Sequence, residues 1–110
     1  MKPQPPSKYP TTPDGRYFVV RGQLWRCTNP HLSPRERELF TKQLMIARRD
    51  VKAAKQRKHP DAEHRAHRKV DQTKQALGER GEPWWTDGAP DYNRHKIENT
   101  PYAKWWDLRK

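Results

Sequence analysis

Long apolar runs are missing from this chain, and Leu, Ile, Val and Phe together supply only fourteen of its 110 residues. Hydrophobic residues make up 31% of it, and eight of those are Ala. No segment is apolar enough for a membrane span or a secretory signal, so the cytoplasm is the expected compartment and no membrane partner is expected. Cysteine occurs once, at Cys27, which excludes an internal disulfide. Acids are also scarce, 13 against 24 Lys and Arg, for a formal charge of +11. Few large apolar side chains and a high net charge lean toward disorder. Against that lean stand eleven aromatic residues, each able to bury roughly 150 to 250 Å². They cluster beside periodic apolar segments, so a single small ordered domain over residues 15–110 is expected, preceded by a disordered Pro-rich tail at 1–14.

RYFVVRGQLWRC, at residues 16–27, is rich in aromatic and β-branched residues around Arg21-Gly22, the pattern of a short β-hairpin spanning 15–27. Alternation sends Tyr17 and Val19 to one face, Phe18 and Val20 to the other, and splits Leu24 from Trp25. Two strands alone are not stable, so a helix is expected to cover one face.

SPRE, at residues 33–36, carries three helix-start signals in register: Ser33 as N-cap, Pro34 at the first helical position, and Glu36 closing a capping box. Phe40, Leu44, Ala47, Val51 and Ala54 then recur at helical spacing, predicting a helix to about Lys58. His59-Pro60 breaks it, and a second helix with Ala62, Ala66, Val70, Thr73 and Leu77 inward stops at Gly78. A connection this short implies an antiparallel helical hairpin over 33–78. Small residues line its tip, while Leu39, Phe40, Leu44, Met45, Val70 and Leu77 line its open end. GEPWWTDGAPDYN, at 81–93, and the pair Trp105-Trp106 place four of the five tryptophans in one terminal segment, read as a core-forming clasp over 81–110. Thr100-Pro101 marks the cap of a short helix there. The fold class expected is α+β, with the hairpin and clasp at the base of the helical pair.

Charge is unevenly divided. Residues 33–80 carry fourteen basic and seven acidic groups, whereas residues 81–110 carry five of each. The excess therefore avoids the tryptophans, which argues against a base-stacking platform there. In RRDVKAAKQRK, at 48–58, Asp50 is the one acid, and the returning helix adds Arg65, Arg68 and Lys69. Arg48, Arg49, Lys52, Lys55, Arg57, Lys58, Arg65, Arg68 and Lys69 thus crowd the hairpin tip. Lys and Arg in such a group suit a phosphate backbone, where each contact releases counterions. Nucleic acid, RNA or DNA, is the partner expected; an acidic protein bound as by an adaptor is the alternative.

His59, His64 and His67 lie near the same tip, but a basic surround repels a cation, and no metal site is expected. An enzyme would have to use Cys27, His31, Asp87, Asp91, Asn93 and His95, with Asp91 and His95 four apart as an acid-base pair. No nucleophile elbow or P-loop accompanies them, so no catalytic residue, cofactor or small-molecule substrate is expected.

On GRYFVVRGQLWRCTNP, at 15–30, and GERGEPWWTDGAPDYNRHKIENTPYAKWW, at 78–106, the chain resembles a family of small basic bacterial proteins of uncharacterised activity. That resemblance implies no activity, cofactor or catalytic residue.

Overall fold

The computed structural model describes residues 9–109 and is α+β. Strands β1 (Tyr17–Val20) and β2 (Gln23–Arg26) precede helices α1 (Pro34–Gln56) and α2 (Pro60–Ala76). A 3-10 turn at Ile97–Asn99 and helix α3 (Ala103–Arg109) follow. The described chain divides into two compact units, a helical one over 31–82 and a β one built from 9–30 with 83–109.

In the β unit the strands pair antiparallel, Tyr17 opposite Arg26 and Val20 opposite Gln23. The two-residue loop has positive φ at both positions, 54° at Arg21 and 77° at Gly22, as a type I′ turn requires. Gly22 adopts that backbone without steric cost, and Arg21 does so against its side chain's preference. Alternation holds as expected: Tyr17, Val19, Leu24 and Arg26 are buried, and their neighbours form the half-buried opposite face.

The hairpin gains support from chain on both edges. Thr11 bridges Phe18, with Val19 N donating to Pro10 O and Thr12 N to Tyr17 O. Along β2's outer edge Gln23 bridges Lys96; Leu24 N donates to His95 O and Arg94 N to Leu24 O. Both rows of edge hydrogen-bonding groups, which would otherwise be left to solvent, are thereby used. Residues 9–14, assigned to the tail on composition, are thus tied into this unit, and Thr12 is buried. The rest of the expected tail lies outside the described residues.

Tyr17, Val19, Leu24 and Ile97 form the core, and Trp85, Tyr92, Tyr102, Trp105 and Trp106 pack half-buried around it. Tyr17 meets Trp85 and Tyr102 edge-on, with centroids 5.7 and 5.6 Å apart. The tryptophans therefore wrap a tyrosine instead of forming the centre. Trp84 donates from Nε1 to Cys27 O at 3.1 Å, and Trp85 to Ala89 O at 2.8 Å, so each polar edge is satisfied. Thr100 shapes the entry to α3, donating from Oγ1 to Ile97 O while its own carbonyl accepts from Ala103 N.

The helical unit starts as its sequence predicts. Ser33 Oγ accepts from Glu36 N at 3.0 Å, and Glu36 Oε1 accepts from Ser33 N at 2.9 Å. Leu44, Ala47 and Ala54 of α1 are buried, with Ala66 and Thr73 of α2. Small residues there let the two axes approach closely. Leu77 caps α2, and Gly78, with φ 81°, follows. Gly78 N donates to Gln75 O and Glu79 N to Lys74 O, the paired bonds of a Schellman motif. Leu39 and Met45, expected to line the open end of the seam, are instead about half exposed, at 50% and 55%. Their positions fall on either flank of the Leu44–Ala47–Ala54 stripe.

Candidate functional site

The nine tip cations sit on two helices and their connection. Arg48, Arg49, Lys52 and Lys55 ride on α1, Arg57 and Lys58 occupy the turn, and Arg65, Arg68 and Lys69 ride on α2. All nine are exposed. None of them makes an ion pair to a carboxylate among the described residues. Lys58 turns the chain with φ 53°, and His59 then caps α2, its Nδ1 accepting from Ala62 N at 3.1 Å.

They do not share one face. At about 100° per residue, Arg48, Lys52 and Lys55 form a stripe along one flank of the α1 seam, and Arg49 points away from it. Arg57, Arg65 and Lys69 lie on the opposite flank, where they line a groove between the helices together with Asp50, Ala53 and Ala62. Arg68 points outward from α2. The cations therefore surround the tip of the helical hairpin instead of forming a single-faced patch.

The histidines are not gathered for a metal. His59 is committed to its cap, and His67 Nε2 meets Glu63 Oε2 at 3.3 Å. Among the described residues no group of three or more His, Cys, Asp or Glu is arranged to hold an ion.

Asp91 and His95 are not brought together either. Asp91 Oδ2 accepts from Arg26 Nη1 at 3.1 Å, and its Oδ1 accepts from Asn93 N at 3.0 Å and from the Tyr17 hydroxyl at 3.4 Å. The His95 ring stands edge-on to Tyr92, with centroids 5.7 Å apart. Asn93 Oδ1 accepts from Arg26 N, completing a set of bonds that pins residues 91–97 to β2. Arg26, buried and beside both Asp91 and the Trp85 ring, was not singled out in the sequence. Its signal is alternation, which places position 26 on the face of Leu24.

Asp87 pairs with Arg16, whose guanidinium also lies 4.8 Å from the Trp85 ring centre. The hydrogen bond from Arg16 holds the Asp87 carboxyl below the ordinary carboxylate range. Burial acts to raise Asp14, but hydrogen bonds from Tyr102 and Thr12 and the charge of Arg16 outweigh it, and Asp14 too is lowered. Burial pushes the Tyr17 hydroxyl up to about 12, assisted by the nearby Asp91 carboxylate. Asp14 and Asp87 thus stay charged, and the Tyr17 hydroxyl stays neutral, across the neutral range.

No helix among the described residues is long and apolar enough to cross a membrane. Comparison with protein-family models, with curated proteins and with solved structures gives no match.

Proposed function

We propose that this is a non-enzymatic, cytoplasmic binding protein that holds the phosphate backbone of RNA or DNA through the tip of its helical hairpin. One observation carries the reading: the nine tip cations are exposed and make no ion pair to an acid among the described residues. Like charges at that density repel one another, and a polyanion offsets the repulsion. Arginines of the β unit are disposed differently, Arg16 on Asp87 and Arg26 on Asp91.

Contacts of this kind carry little base preference, because they reach phosphate and not base edges. With about four to six phosphates engaged, affinity for a duplex falls with salt at a log-log slope of about minus four to minus five. Replacing Lys55, Arg57 and Lys58 together with Ala flattens that slope by about two to three units and leaves thermal stability nearly unchanged. Fluorescence polarisation across several salt concentrations measures both. Binding indifferent to salt, or a triple variant with parental affinity, removes the nucleic-acid reading.

A further inference from the structure

Beside the buried seam of the helical hairpin lies a second stripe that the two helices leave open. Leu39, Gln43, Ile46, Asp50, Ala53 and Arg57 recur along α1 and its C-cap at spacings of four and three. This is the repeat that presents one face of a helix to another helix. Across from it on α2 stand Ala62, Arg65, Lys69 and Gln72. Two clefts of about 290 Å³ each lie between these rows and share Asp50 and Lys69, so they form one continuous groove. Its lining on α1 extends from Gln43 to Arg57, a length of about 20 Å at 1.5 Å per residue.

The groove is graded along that length. Toward the base Ile46 is 53% exposed, and Leu39, one heptad earlier on the same stripe, is 50% exposed. Toward the tip the lining is Ala with Arg57, Arg65 and Lys69 against the single carboxylate of Asp50. We infer that this groove docks an acidic amphipathic helix of a protein partner, completing a three-helix arrangement. Its apolar stripe covers Leu39 and Ile46, and its carboxylates meet Arg57, Arg65 and Lys69. Charge complementarity selects this occupant. A second copy of this chain would bring another cationic hairpin to a groove that is already net positive. A phosphate backbone has no apolar side chains to lay on Ile46. The inference goes beyond nucleic-acid binding and does not depend on it: Arg57, Arg65 and Lys69 serve both readings, but the exposed Leu39 and Ile46 have no part in a phosphate contact.

The test uses the full chain and a fluorescein-labelled designed peptide of about 18 residues, enough to span the groove as a helix. It carries Leu at heptad positions and Glu beside them; a scrambled peptide of identical composition is the control. Fluorescence polarisation is expected to show the designed helix binding about tenfold more tightly than the scramble. Ile46→Glu is expected to weaken that binding about tenfold while leaving duplex affinity and its salt slope unchanged. Because Ile46 is half exposed, this variant keeps the hairpin folded, which circular dichroism checks. Equal affinity for designed and scrambled peptides, or an Ile46→Glu variant that binds like the parent, overturns the inference. Sedimentation showing a parental dimer that Ile46→Glu dissolves also overturns it, in favour of a second copy in the groove.

Discussion

The two units solve the same shortage of apolar side chains in opposite ways. The β unit concentrates aromatics around Tyr17 and spends its charges internally: Arg16 meets Asp87, Arg26 meets Asp91, and Arg94 and Arg109 lie over Trp25 and Trp105. The helical unit buries mainly Ala with Leu44 and Leu77 along its seam and leaves its tip cations facing solvent. A side chain already bonded within the fold has little left for a partner. The difference therefore separates a unit whose arginines hold structure together from one whose tip cations make no ion pair to a carboxylate among the described residues.

Breaking the aromatic side of that contrast has the largest expected effect. Trp85→Ala removes a ring that packs on Tyr17 and lies beside both Arg16 and Arg26, and is expected to cost about 3 kcal/mol. Urea melts followed by near-ultraviolet circular dichroism measure it; a parental midpoint would mean that the ring contributes nothing to the core. Next comes pH. Tyr17 is raised from 10.0 to about 12 in the folded chain, so folding favours its neutral form. Stability on this account is fully present below pH 10 and is lost as pH rises from there through about 12. Tyr17→Phe is expected to flatten that alkaline loss, although it also deletes the acceptor for Tyr92 N. An unchanged alkaline profile in the variant would assign the loss to other groups. The smallest effect falls on the helical unit, where Ser33→Ala removes half of a capping box at a cost of about 1 kcal/mol. Amide exchange in the first turn of α1 is expected to quicken while the β1–β2 amides stay protected.

Local signals were legible wherever chain neighbours alone decide the outcome. Ser33, Pro34 and Glu36 announce a helix start because all the groups involved lie within four residues. His59-Pro60 announces a restart, although the side chain that caps it, the His59 imidazole, is not among the usual capping residues. The cations at the tip were legible for the same reason, as residues clustered along the chain. Their division between two flanks was legible in part, since helical spacing separates Lys52 from Arg57 once the seam is known. Leu39 and Met45 were misassigned to that seam because apolar character marks a position as suited to burial without naming its neighbour.

Sequence alone determined the order of the strands and helices, the hairpin turn at Arg21-Gly22, the division of β1 and β2 side chains between two faces, both helix stops and the location of the excess charge. Each follows from spacing, capping or alternation over a few residues. Only the tertiary structure decided that Pro10–Thr12 and residues 93–97 flank the hairpin, that Tyr17 and not a tryptophan is the hub, and that Asp91 binds Arg26 and leaves His95 apart. Apart from the nearby Pro10–Thr12 pairing, most of those contacts join residues some 65 to 75 positions apart. No local rule encodes them: which distant carboxylate meets a buried guanidinium depends on how the whole core closes.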